Sequence, residues 1–203
     1  TDFNLINAGF ADLNPFFVLA PWLFLLLVPA LSMRSFADEK RLGTLELLLT
    51  KPLNLWQIIM GKYLANLMLL LTALLPTVVY FFAINALKLG DNTIDWGSAI
   101  TAYWGLFCVG ASFVSLGILS ALLTKNQATA FMLALLLCFF QFYVWKSIAD
   151  LMQHQEFYRF FNTLGIFEHY LNLRQGVITF KDGIYFMGFN YIVLYTSKRL
   201  LHK

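Results

Sequence analysis

From Trp96 to Thr124 the chain reads WGSAITAYWGLFCVGASFVSLGILSALLT, a stretch without one charged residue. A helix rises about 1.5 Å per residue, so about 20 apolar residues cross the roughly 30 Å hydrocarbon layer of a bilayer. The run exceeds that length, and it reads as a membrane span. It is also crowded with small residues, Gly105, Gly110, Ser112, Ser115 and Gly117 among them. Small side chains let membrane helices approach closely. These five are therefore expected at a helix interface, either inside this chain's own bundle or against a second membrane subunit.

Three further uncharged runs flank it, Pro15 to Met33, Tyr63 to Leu87 and Asn126 to Trp145. A fifth, Gly183 to Ser197, is shorter and ends in Lys198-Arg199, whose long side chains can reach back to the interface and let a brief segment span. It reads alternatively as a buried or re-entrant segment. Spans are expected at about 15–33, 60–87, 96–124, 126–146 and 183–199, in an all-α polytopic bundle forming a single domain over 1–203. Composition agrees. The 203 residues are 60% hydrophobic and 12% charged, about half the charge of an ordinary soluble domain.

Charge sets the orientation, because short cytoplasmic loops hold the excess of Lys and Arg. With five spans, Arg34, Lys40, Arg41, Lys51, Lys62, Lys125, Lys198, Arg199 and Lys203 fall on one side with Asp38, Glu39 and Glu46. Lys88, Lys146, Arg159, Arg174 and Lys181 share the other side with the remaining eight acids. The basic side is read as the cytoplasm of a bacterial inner membrane, with the first residues outside and the C-terminus inside. The positive charge follows from topology, and no basic, aromatic-interleaved patch indicates nucleic acid. The chain opens with Thr1 and without a signal-peptide pattern, so one more span is expected upstream, six in the intact protein. Cys108 and Cys138 lie inside spans and read as packing residues.

Between the first two spans lies Arg34-Ser-Phe-Ala-Asp-Glu-Lys-Arg-Leu-Gly-Thr-Leu-Glu-Leu-Leu-Leu-Thr-Lys-Pro52. Leu42, Leu45, Leu48 and Leu49 recur at the spacing of one helical face, so a single amphipathic helix is expected at about 38–50. Asp38 and Glu39 would sit at its start, and Pro52 would end it. The order Glu39, Gly43-Thr44, Glu46, Leu48, Pro52 and then Gly61-Lys62 resembles the first cytoplasmic loop of ABC-2 type transporter permeases. The close match runs from about Arg34 to Asn66.

That resemblance implies a coupling helix that docks into a partner ABC ATPase, with Glu39, Arg41, Gly43, Thr44, Glu46, Leu48 and Pro52 as docking residues and the leucines turned towards the membrane unit. It also implies pairing with a second permease, as a homo- or heterodimer. The turn Ser120 to Ala128 is consistent with the same family. Arg174-Gln-Gly176, followed by Asp182, is similar to the gliding-motility subgroup of Bacteroidetes-type bacteria. No G-x-x-x-x-G-K-[ST] phosphate loop occurs, so the motor is expected on another chain, and neither cofactor nor metal is expected.

Further along, Phe157, Phe160, Phe161, Leu164, Phe167 and Leu171 keep a helical period. One or two amphipathic helices should lie at the outer surface. In the resembled family, short re-entrant helices here form an external gate, for which Phe157, Phe160, Phe161, Leu164 and Phe167 are the residues; an interfacial aromatic belt is the alternative. An intramembrane enzyme would need converging polar groups, whereas every His, Asp and Glu falls in a loop or at a span edge, and His154 and His169 read as surface histidines. A permease of an ATP-driven exporter is the leading functional reading, with a non-transporting scaffold or assembly factor of a motility or secretion machine as the alternative.

Overall fold

The structure, a computed structural model, describes residues 14–50, 52, 54–86, 96–152 and 154–201. Lys51, Lys88 and Lys203 of the charge count, Leu87 at the end of the second expected span, and the segment before Asn14 lie outside the described residues. The elements are α1 (Asn14–Ser32), α2 (Arg34–Leu42), α3 (Thr44–Leu49), α4 (Leu55–Ala86), α5 (Trp96–Leu123), α6 (Gln127–Phe139), α7 (Trp145–Asp150), α8 (Gln155–Leu164), α9 (Ile166–Arg174) and α10 (Phe180–Leu201), with no strand among the described residues. A π-helical turn, Phe140–Val144, joins α6 to α7 without interrupting the rod.

Among the described residues, four helical stretches are long and apolar enough to cross a membrane: Pro15–Leu42, Leu55–Val79, Trp96–Leu123 and Gln127–Asp150. The bundle is an all-α polytopic membrane fold. Its outer faces carry Leu23, Leu26, Met68, Leu75, Ile100, Met132 and Leu136, each more than half exposed, an apolar belt that suits lipid and not water. The first stretch overruns its expected end at residue 33, because the chain turns only briefly at Met33 and resumes as α2. The fifth expected span, 183–199, falls within the 22-residue helix α10, about 33 Å long. Its ends carry Lys181, Asp182, Lys198 and Arg199, and it stands outside those four by composition.

α5 is the axle. Of its most apolar stretch 78% is buried, against 44%, 33% and 22% for the other three, and α1, α2, α4, α6, α9 and α10 all pack on it. Its small residues make this possible. A Cβ at Gly117 would fall 1.8 Å from Ser32 Oγ, one at Gly110 would fall 2.4 Å from a Leu70 methyl, and one at Gly105 3.0 Å from Leu173 Cβ. Ser112 and Ser115 are fully buried and return their hydroxyls to the helix backbone, at Cys108 O (3.0 Å) and Ser112 O (2.8 Å). Around this seam lie Val28, Leu70, Leu106, Val109, Phe113, Val114 and Phe142, all 0–1% exposed.

α1 and α4 run unbroken through Pro21, Pro29 and Pro76. Each proline removes one backbone bond, and the neighbouring turns hold. At the end of α1 the Ser32 hydroxyl donates to Val28 O at 2.9 Å and Met33 N–H to Pro29 O at 2.9 Å.

Candidate functional site

The loop between α1 and α4 is built differently from its sequence reading. Instead of one helix from 38 to 50, it forms two, because Gly43 adopts φ +70°, ψ 8°, the left-handed conformation that ends α2 and starts α3. Any side chain there would be strained. α2 begins at Arg34, so Asp38 and Glu39 stand in its second turn and cap nothing. α3 ends at Leu49, before Pro52.

α2 is fixed on three sides. Phe36 and Ala37 are completely buried against the bundle. Glu39 Oε1 receives the Lys62 ammonium at 2.6 Å. Lys62 also donates to Ser35 O, and Asn66 Nδ2 reaches Ser35 Oγ at 2.9 Å, tying α2 to α4. Lys40 donates to Leu122 O in the last turn of α5, and Gln127 Nε2 donates to the Asp38 carboxylate at the start of α6. The turn between α5 and α6 is capped by Asn126, whose side chain accepts from Ala128 N–H at 3.1 Å. α2 is thus hydrogen-bonded to three helices, α4, α5 and α6.

The Gly43 corner faces outward. Arg41, Gly43, Thr44, Glu46 and Pro52 are exposed, while Leu45 and Leu48 are half-buried on the core. Leu42 and Leu47 are 68% and 67% exposed, so Leu42 does not join the inward leucine face expected of it. Of the docking residues read from sequence, the structure groups Arg41, Gly43, Thr44 and Glu46 on one open surface and turns Glu39 inward onto Lys62. Leu47, exposed on the same side of the loop, was not among the residues read from sequence. Its signal was an apolar residue off the main stripe, in a helix too short to fix a phase.

At the opposite end, where one or two helices were expected, there are two, α8 and α9, broken at Gly165 with extended backbone (φ −85°, ψ 147°). That break resets the helical phase. The buried face of α9 is Ile166, His169, Tyr170 and Leu173, so His169 is no surface histidine. It is 7% exposed, with Nδ1 2.6 Å from Asp182 Oδ1 and Nε2 3.0 Å from Thr163 O. The pair forms at the edge of the last expected span, because the first turn of α10 brings Asp182 under α9.

Tyr185 stacks on the His169 ring at 3.9 Å and donates to Leu164 O at 2.7 Å. Gln141, in the π-helical turn, donates to Leu164 O at 2.8 Å and to Tyr185 OH at 2.9 Å, and accepts from Trp145 Nε1 at 3.0 Å. The last carbonyls of α8, left without partners inside their own helix, are closed by His169, Tyr185 and Gln141. Beside them, burial pushes the Glu168 carboxyl above its ordinary value, a rise opposed by His169 and reinforced by Asp182.

Of the residues expected to form an outer gate, Phe157 and Phe160 are 58% and 60% exposed. Phe161 stacks on Trp145 at 6.1 Å and Phe167 meets Phe142 edge-on at 5.5 Å. Leu164 is half-buried. The hairpin is therefore anchored by Phe161 and Phe167 and presents Phe157 and Phe160 outward.

No curated protein matches the chain at a significant level. Residues 6–197, nearly the whole length, match the family described as ABC-2 family transporter protein. The polytopic helical bundle agrees with this match, by which the chain belongs to the ABC-2 transporter family as a permease-type membrane subunit.

Proposed function

We propose that the chain is the permease of an ATP-driven exporter of the bacterial inner membrane, moved by a separate ABC ATPase through the Gly43 corner. The observation that carries this reading is the division of labour in the loop. α2 is fixed to α4, α5 and α6, whereas Arg41, Leu42, Gly43, Thr44, Glu46 and Leu47 lie open to a partner. Arg41 and Glu46 offer charge-assisted bonds of both signs, Leu47 an apolar anchor, and Gly43 a close backbone approach. Glu39 acts through Lys62 as a positioning residue.

Nucleotide-driven closure of the ATPase pushes the corner, α2 moves as a rigid lever, and the ends of α4, α5 and α6 shift together. A second permease, as a homo- or heterodimer, completes the pathway, and the α8–α9 hairpin with Phe157 and Phe160 gates its outer mouth. In this reading the α2 end is cytoplasmic and gliding motility is the process served. Photo-crosslinking from Leu47 in native membranes tests the docking. An adduct with an ABC ATPase subunit is expected, and adducts with lipid or with this chain alone would contradict it.

A further inference from the structure

Where α4 begins and α10 ends, the basic end of the bundle holds a cavity of about 470 Å³, lined among the described residues by Asn54, Leu55, Trp56, Tyr191, Tyr195 and Lys198. Its walls are aromatic. Trp56 meets Tyr191 edge-on at 6.0 Å, Tyr191 stacks on Tyr195 at 6.2 Å, and the Lys198 ammonium stands 5.9 Å from the Trp56 ring. Its charge is one-sided, Lys198 being the charged residue among the described lining residues. Among the described residues, Lys198 has no carboxylate partner, and the Trp56 indole N–H and Tyr191 hydroxyl have no protein acceptor. No acidic side chain lines the cavity or stands in the first turn of α4. Arg199 adds a second cation at the rim, 3.1 Å from Tyr195 OH.

A lysine without a carboxylate partner, in a recess walled by aromatics, calls for an anion that carries its own apolar body. The surface above supplies the place for that body. Met187 and Tyr191 on α10 and Leu64 and Met68 on α4 are 53–77% exposed and run from the cavity along the lipid-facing sides of their helices. Trp and Tyr sit by preference at the headgroup level, and basic recesses between spans take anionic headgroups. We propose that this cavity is a binding site for the phosphate of an anionic phospholipid, with Lys198 on the phosphate, Trp56 and Tyr191 donating to its oxygens, and the acyl chains along α4 and α10. The lipid would brace the start of α4 against the end of α10, next to the Lys62 joint.

The test is native mass spectrometry of the full chain in detergent, titrated with dioleoylphosphatidylglycerol or dioleoylphosphatidylcholine, with inorganic phosphate as competitor. Phosphatidylglycerol should bind several-fold more tightly than phosphatidylcholine. Lys198→Gln should weaken it about fivefold, the effect of one basic residue at a headgroup, and Lys125→Gln, at an exposed lysine of the same end, should not. Equal binding of the two lipids, or equal effects of the two lysine variants, would overturn the proposal. So would full displacement by millimolar phosphate, which would mark a site for a free anion.

Discussion

Lys62 Nζ lies 2.6 Å from Glu39 Oε1, joining the first turns of α4 to the middle of α2 across 23 residues of sequence. Both side chains are partly shielded, at 21% and 30% exposure, so the pair outranks a surface ion pair. Glu39→Gln and Lys62→Met should each lower stability by about 1–2 kcal/mol. A double-mutant cycle by thermal unfolding in detergent should return a coupling of about 1 kcal/mol. Additive losses would mean that the joint is not energetic.

The α1–α5 crossing has no spare room at Gly117. Gly117→Ala places a methyl group 1.8 Å from Ser32 Oγ and 2.6 Å from Ser32 Cβ, overpacking that should cost about 1–3 kcal/mol. Ser32→Gly in the same chain should recover most of the loss, because the Ser32 Cα is 3.9 Å away. Ser32→Ala should recover less, since its Cβ remains. Melting temperatures of the three variants check the order.

At the α8–α9 end, His169→Ala would leave the Asp182 carboxylate buried with neither oxygen satisfied, since Asp182 Oδ2 already has no partner. Breaking a buried pair from one side costs about 3 kcal/mol or more. Limited proteolysis should then open the α8–α9 hairpin first, before the spans unfold.

Glu168 carries a pH dependence. Its carboxyl is raised by burial, so its protonated form favours the folded hairpin, and that contribution is present at pH below its ordinary value and lost as pH rises through the raised one. Glu168→Gln should melt slightly above the parent at pH 7, with the difference closing at about pH 4, near the ordinary value of a glutamate.

The bundle was legible because uncharged length is a one-dimensional signal. Four of the expected spans needed only the counting of charges, and Gly110 and Gly117 announced the seam of α5. Gly43 and Gly165 were legible as glycines but not as phase breaks. Each splits a helix that a running period treats as continuous, which put Leu42 on the wrong face and His169 in water. The contacts Lys40–Leu122, Asp38–Gln127 and His169–Asp182 span 82, 89 and 13 residues. Nothing local in a polar residue names a partner that only the packing supplies.

In the proposed mechanism, the open corner at Gly43 is the surface that the ATPase moves. The direct measurement is nucleotide hydrolysis by the ATPase that copurifies with the tagged chain, comparing parent with Arg41→Glu/Glu46→Lys, two exposed positions that no packing contact of the bundle requires. Loss of the copurified ATPase, or a drop in its coupled hydrolysis of about tenfold or more, about 1.4 kcal/mol of coupling, is the predicted result. Unchanged association and unchanged hydrolysis would contradict the account.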